Sequence, residues 1–197
     1  ADGLKKAFPR ARIGGPHSTD PSNEGANAFL RRFLEHCVRG KNYATGKIGS
    51  QLDYVGFHAK GGPRVIDNRV QMNIGCQLLN ISKGFEAVAS FPELKHLPII
   101  IGESDPEGCA ACSIEHHPQN AYRNGTMYSS YTAASFARKY ELARKYGVNF
   151  IGAVSWSFEF ENQAWYAGFR DLATNGIDKP VLNVFRMFGM MKGDLVT

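Results

Sequence analysis

The sequence predicts an α/β protein in which strand–helix units repeat along the chain and build a parallel sheet. Short apolar segments alternate with longer stretches whose apolar residues recur at helical spacing. One short segment, residues 99–101, consists of three isoleucines and is typical of a strand that is buried on both faces. Because strands that alternate with helices pair in parallel through right-handed crossovers, we expect residues 1–197 to form a single domain of this class.

Four such units follow one another. The predicted strands cover residues 9–16, 52–58, 98–103 and 150–156. The predicted helices cover about residues 21–39, 64–90, 129–146 and 180–191. A closed eightfold barrel has eight units and typically needs about 250 residues. The pattern therefore predicts either an open sheet of four or five strands or one half of a barrel, and the absence of a glycine-rich phosphate loop disfavours a nucleotide-binding sheet.

Charge and hydropathy exclude two classes of partner. The net charge is +5, but the basic residues are scattered and do not form the dense stripe of a nucleic-acid surface. No apolar run approaches the roughly 18 residues of a membrane span. We therefore predict neither a nucleic-acid nor a membrane partner.

The cysteines predict no metal centre. Cys109 and Cys112 have Cys-x-x-Cys spacing, but no second pair completes a zinc site, and the histidines lack the spacing of a ligand set. We expect a local disulfide or two free thiols at this pair. No metal and no cofactor is predicted.

Side chains suited to sugar binding stand at or just after the end of each predicted strand. They are His17 after the first strand, His58 and Lys60 after the second, Glu103 and Asp105 after the third, and Trp156, Glu159 and Glu161 after the fourth. The carboxyl ends of parallel strands meet at one rim, where catalytic groups project in barrels. Carboxylates bind sugar hydroxyls and an aromatic ring covers the C–H side of a sugar. Each residue also has a structural alternative, such as a solvated loop position or a hydrogen-bonded strand end.

Several stretches resemble glycoside hydrolase family thirty-nine, which includes β-xylosidases and α-L-iduronidase. The main ones are residues 52–61, with His58-Ala59-Lys60, and residues 98–108, with Glu103-Ser104-Asp105-Pro106. Shorter similarities, in the order of that family, cover residues 12–16, 156–158 and 176–181. The resemblance implies a (β/α)8 TIM-type barrel, of which this chain supplies strands five to eight.

The resemblance also implies the roles of the rim residues. Glu103 matches the nucleophile of a retaining glycoside hydrolase, and His58 lies beside it. In the iduronidase branch a lysine at the place of Lys60 meets the sugar carboxylate. Further substrate contacts are expected from a larger group of residues: Asp105, Trp156, Glu159, Glu161, His17 and Arg170.

The acid/base glutamate of that family lies in an Asn-Glu pair at the end of strand four, and we expect this chain to begin after that strand and to contain no such pair. We therefore expect little hydrolysis by this chain alone, and a partner in the form of the N-terminal barrel half or a second copy. The substrate is a carbohydrate, with β-xylosidase-like specificity first. The alternatives are an α-L-iduronidase-like hydrolase of acidic sugars and a non-catalytic carbohydrate-binding half-barrel. An extracellular, periplasmic or lysosomal location is favoured over the cytoplasm.

Overall fold

The computed structural model describes residues 1–157 and 162–193, which form one parallel sheet, two small hairpins and the helices around them. The elements in chain order are α1 (Asp2–Ala7), β1 (Gly14–Ser18), α2 (Glu24–Arg39), β2 (Tyr54–Phe57), β3 (Arg64–Ile66), β4 (Arg69–Gln71), α3 (Ile74–Ala89), β5 (Ile99–Ile101), a 3₁₀ helix (Pro118–Asn124), α4 (Thr126–Tyr146), β6 (Phe150–Ala153), β7 (Ala173–Thr174), β8 (Ile177–Asp178) and α5 (Pro180–Met190).

The main sheet contains β1, β2, β5 and β6 in that order, and every neighbouring pair is parallel. The parallel α/β class predicted from the sequence is confirmed. The strands lie in the sheet in the same order as in the chain, so the crossovers through α2, α3 and α4 all run in one direction across the sheet. Right-handed crossovers of this kind place their helices on one face of the sheet. Within the described residues the sheet has two open edges, at β1 and β6.

The core lies between the sheet and these helices. It contains fully buried side chains from the strands and from α2 and α3: Leu30, Leu34, Val55, Phe57, Ile81, Phe85, Ile99 and Ile101. Burying one such side chain contributes about 1.5–3 kcal/mol. Gly84 allows α3 to approach the sheet closely, because a Cβ at this position would lie 2.4 Å from the Phe57 ring.

Helix ends follow the local sequence. Asn23 caps α2, where its side-chain oxygen accepts a hydrogen bond from the Ala26 N–H at 3.2 Å. The expectation that the chain contains no Asn-Glu pair was wrong, since Asn23 and Glu24 form one, and this pair follows β1 and starts α2. Gly147 ends α4 in the left-handed conformation, with a φ of 62°, which glycine adopts without strain.

The predicted helix over residues 64–90 was wrong in its first third. Residues 64–71 form the β3–β4 hairpin, and α3 begins only at Ile74. The turn residues Asp67 and Asn68 have φ angles of 49° and 57°, the positive values that a tight two-residue hairpin turn requires. Helix α1 and the β7–β8 hairpin were not predicted.

No helix in the described ranges is both long and apolar enough to cross a bilayer.

Candidate active site

His17 lies over the sheet because of a bulge in β1 and two glycines in its neighbours. The register shifts between Pro16 and Ser18, and His17 adopts a positive φ of 54°. Its ring occupies space that only glycine leaves free, since a Cβ on Gly56 would lie 2.4 Å from it and a Cβ on Gly102 would lie 2.5 Å from it. A bulge that redirects a side chain is common next to functional sites.

The backbone of Lys60 is fixed from both sides. Its N–H donates to the Asp20 carboxylate at 2.9 Å, and its carbonyl accepts from the Asn80 amide at 2.9 Å. The preceding carbonyl of Ala59 accepts from Gln77 at 3.1 Å. Helix α3 therefore positions the loop after β2 through two buried amides, and the lysine side chain is directed to the rim.

Glu103 extends from the carboxyl end of β5 and meets two basic groups. Its Oε2 lies 2.7 Å from Lys60 Nζ, and its Oε1 lies 3.4 Å from His58 Nδ1. The Glu103 side chain is 20% exposed, whereas that of Lys60 is 8% exposed. The carboxylate is thus paired with one buried and one partly exposed basic group and still reaches the surface.

Asp105 is the buried centre of the site. Its Oδ2 contacts Lys60 Nζ at 2.7 Å and Arg170 Nη1 at 2.9 Å, and both Asp105 and Arg170 have side chains that are 0% exposed. Its Oδ1 accepts hydrogen bonds from the Ser155 hydroxyl and from the Trp156 N–H. With both oxygens occupied, Asp105 orients the two cations and the end of β6.

A second layer of charge lies behind Arg170. Its Nη2 lies 3.3 Å from Glu107 Oε1, and the same carboxylate pairs with Arg123. The Arg123 guanidinium also donates to the carbonyl oxygens of Cys109 at 2.7 Å and of Gly168 at 3.1 Å. Burial lowers the pKa of Arg123 to about 9, and the charge of Arg170 acts in the same direction. Arg123 is still a cation at neutral pH and ties the loop after β5 to the segment that carries Arg170.

Most of the predicted rim residues come together. His17 and His58 have ring centroids 5.7 Å apart, and the Trp156 ring, 43% exposed, has its centroid 5.4 Å from Lys60 Nζ. Asp105 and Arg170 belong to the same group, but their side chains are fully buried beneath it. Glu159 and Glu161 lie outside the described residues. Glu107, Ser155 and Asp20 were missed, because nothing in the spacing of the sequence links them to the rim.

Cys109 and Cys112 form a disulfide, with Cα atoms 5.5 Å apart, so the first of the two predicted alternatives for this pair is confirmed. Cys37 and Cys76 are free thiols.

The His58 ring gives a test of the site electrostatics. Burial lowers the pKa of His58, while the charge of Glu103 raises it. The folded protein therefore favours neutral His58. This contribution to stability is complete above the ordinary pKa of about 6.5 and is lost as the pH falls through the lower folded value.

We expect NMR titration to give a His58 midpoint below about 6.5 and a still lower midpoint in Glu103→Gln. Glu93→Gln, which removes a surface carboxylate paired with Arg39, serves as the control and leaves the midpoint unchanged. A rise of the midpoint in Glu103→Gln would contradict the geometry.

A parallel α/β sheet that gathers charged side chains at the carboxyl ends of its strands has the arrangement in which α/β-barrel enzymes build their active sites. The family model for glycosyl hydrolases family 39 matches residues 1–197, and the chain belongs to this family.

The chain spans only a small part of the length of the known proteins that it resembles. The chain is 32% identical to the α-L-iduronidase of Mus musculus over 108 residues, which is 54% of this chain and 15% of that protein. It is 32% identical to the α-L-iduronidase of Homo sapiens over 109 residues, again 15% of that protein. The solved structure of a bacterial orthologue of human α-L-iduronidase superposes with a TM-score of 0.67 at 20% identity, covering 96% of this chain and 32% of the other. This likeness supports the fold.

Proposed function

We propose that this chain carries the nucleophile of a retaining glycoside hydrolase, and that Glu103 is that nucleophile. The observation that supports the proposal is the contact of Glu103 with Lys60 at 2.7 Å and with His58 at 3.4 Å, at a partly exposed position at the end of a parallel strand. In such a mechanism the carboxylate attacks the anomeric carbon, and a second carboxyl group about 5 Å away protonates the leaving oxygen and then activates water.

The remaining barrel strands and the acid/base carboxyl are expected from outside this chain. The chain spans 32% of the length of the solved relative. Among the described residues β6 is an edge strand, and Ile151 within it and Val154 just after it are exposed apolar residues, at 54% and 53% exposure. Open edges of this kind pair readily with further strands. We expect light scattering to find the isolated chain self-associated, and a monodisperse monomer would contradict this expectation.

The proposed glycone is a uronic acid of the iduronide type. The α-L-iduronidases among the relatives favour this alternative over the β-xylosidase-like specificity that the sequence placed first, for which they give no support. Lys60 supplies a cation at the rim, and its ammonium has three N–H groups, of which Glu103 and Asp105 face two. The third is a donor for a sugar carboxylate.

One observation favours a neutral glycone as the second candidate. The charges of Lys60 and Arg170 are matched by those of Glu103 and Asp105, so these four side chains carry no net charge. A neutral sugar such as a xyloside loses no ion pair when it binds there.

The two candidates are separated by substrate preference in the polypeptide that contains the whole barrel. We expect a higher kcat/KM for an aryl α-L-iduronide than for an aryl β-xyloside. Lys60→Met should lower the iduronide value by at least about tenfold more than the xyloside value, because a hydrogen bond to a charged group contributes about 1.5–3 kcal/mol. Lys83→Met, at an exposed pair with Glu86, is the control. If Lys60→Met lowers kcat/KM equally for both substrates, Lys60 acts only on the nucleophile Glu103 and does not bind a sugar carboxylate. That result would favour the neutral glycone.

The Cys109–Cys112 disulfide supports a location outside the cytoplasm, since disulfides persist in oxidising compartments.

A further inference from the structure

The loop after β5 brings a third ligand-type side chain to the disulfide. One ligand atom from each of Cys109, Cys112 and His117 lies within 4.8 Å of the other two. This grouping was not predicted, because a histidine five residues after the second cysteine does not have the spacing of a standard zinc motif. All three residues are partly buried.

We propose that, when the disulfide is reduced, Cys109, Cys112 and His117 bind one zinc ion, with a water molecule as the fourth ligand. Two thiolates and an imidazole form a ligand set that zinc prefers, and three protein ligands with one open position are a common arrangement. Ligand atoms of a tetrahedral zinc site lie about 3.7 Å apart. The three atoms therefore need to move by only about an ångström once the sulfur–sulfur bond is open.

The loop does not depend on the disulfide for its shape. The cysteines are separated by only three positions in sequence, so the bond constrains a very short loop. Arg123, whose side chain is 0% exposed, donates to the Cys109 carbonyl at 2.7 Å and to the Cys112 carbonyl at 3.3 Å. Asn120 donates to the Cys112 carbonyl at 2.8 Å. These contacts involve backbone oxygens and persist when the sulfur atoms are reduced.

His117 is also held in place. Its N–H donates to the Ser113 carbonyl at 2.9 Å, and its own carbonyl accepts from the Asn120 N–H at 2.8 Å. The Gln119 side chain lies 3.0 Å from its Nδ1 and fixes the orientation of the ring. An outer partner of this kind is a usual feature of histidine ligands.

The charge balance of the site accommodates the ion. A dithiol reductant supplies two electrons and two protons: the sulfur–sulfur bond breaks, Cys109 and Cys112 become thiols, and the reductant becomes a disulfide. Zinc then displaces the two thiol protons as two Zn–S bonds form. Zinc with two thiolates has no net charge, so the nearby Arg123 cation does not oppose binding.

The test compares zinc binding by oxidised and reduced protein under anaerobic conditions. We expect one zinc ion per reduced chain with release of two protons, no comparable binding by the oxidised chain, and sulfur-to-metal charge-transfer absorption when cobalt(II) replaces zinc. The double variant Cys109→Ser, Cys112→Ser should lose the site, while Cys37 and Cys76 remain as internal controls for unrelated thiols. The site is independent of the proposed glycosidase activity, which this experiment does not measure.

The histidine is tested by a matched pair of variants. His117→Ala should weaken binding by at least the roughly 10- to 100-fold that loss of an outer partner costs at a metal site. His116→Ala, at the exposed neighbouring position, should leave it unchanged. Equal affinity in both histidine variants, or binding that survives in the double cysteine variant, would overturn the proposal. Unfolding of the protein on reduction, followed by circular dichroism, would also overturn it, since the site requires Arg123 to hold the loop.

Discussion

Replacing Glu103 with glutamine will lower turnover by at least about a thousandfold, because the amide cannot form the covalent glycosyl intermediate on which a retaining mechanism depends. The substitution keeps the shape of the side chain and leaves an oxygen that can accept from Lys60. Sugar binding should therefore survive. The measurement is kcat and KM for aryl glycosides in the polypeptide that contains the whole barrel, with sugar affinity measured separately by calorimetry.

Covalent labelling distinguishes the nucleophile from a residue that only binds. A fluorosugar that forms a slow glycosyl-enzyme should add its mass to the peptide that contains Glu103, and Glu103→Gln should abolish this addition. Glu93→Gln removes a carboxylate that pairs with Arg39 on the surface, and it should change neither turnover nor labelling. Unchanged turnover in Glu103→Gln would remove this residue from the role. An absence of turnover in the wild-type whole barrel would support the non-catalytic carbohydrate-binding alternative.

The position of Glu103 could be predicted because the signals that place it are local. Three consecutive isoleucines form a buried strand, and the first charged residue after it lies at the carboxyl end. The same reasoning placed His58 and Lys60 after β2. Parallel topology then brings these ends to one rim without any knowledge of individual contacts.

The hairpin β3–β4 shows where local signals conflict. Val70 lies at helical spacing before Ile74 and Leu78, and that interpretation joined residues 64–71 to α3. The two turn residues Asp67 and Asn68 carried the opposite signal, since both tolerate positive φ. Their short polar side chains decide the structure here because the segment is exposed and has little core contact to enforce a helix.

The pairing of the buried charges could not be predicted, since the partners are distant from each other in sequence. Arg170 meets Asp105 across 65 positions, and Arg123 donates to the Gly168 carbonyl across 45 positions. Neither periodicity nor spacing encodes such contacts. The resemblance placed Arg170 near the substrate, and the structure places its guanidinium one layer below, where it orients the groups that reach the surface.

Replacing Asp105 with asparagine will destabilise the protein by about 3–5 kcal/mol, because removing one partner of a buried ion pair leaves the other charge uncompensated. Here two cations lose a shared partner, as Lys60 Nζ and Arg170 Nη1 both contact Asp105 Oδ2, at 2.7 Å and 2.9 Å. Each keeps one other carboxylate, Glu103 for Lys60 and Glu107 for Arg170. The new amide also presents N–H groups where cations already donate. The free energy of unfolding in urea is the measurement.

The matched control is Asp178→Asn, whose carboxylate pairs with Arg186 at the surface. Those side chains are 42% and 55% exposed, so we expect a loss of at most about 1 kcal/mol. If both variants lose the same amount, burial does not set the strength of the Asp105 contacts.

A double-mutant cycle then identifies the cause. Arg170→Met removes one of the stranded cations, so adding it to Asp105→Asn should cost less than Arg170→Met costs alone, a coupling that independent sites do not show. If the two losses simply add, the carboxylate does not compensate Arg170. Coupling together with retained folding would establish that the charge of Asp105 compensates Arg170 beneath the rim. Because Lys60 contacts both Asp105 and Glu103, the same buried carboxylate then bears on the position of the proposed nucleophile.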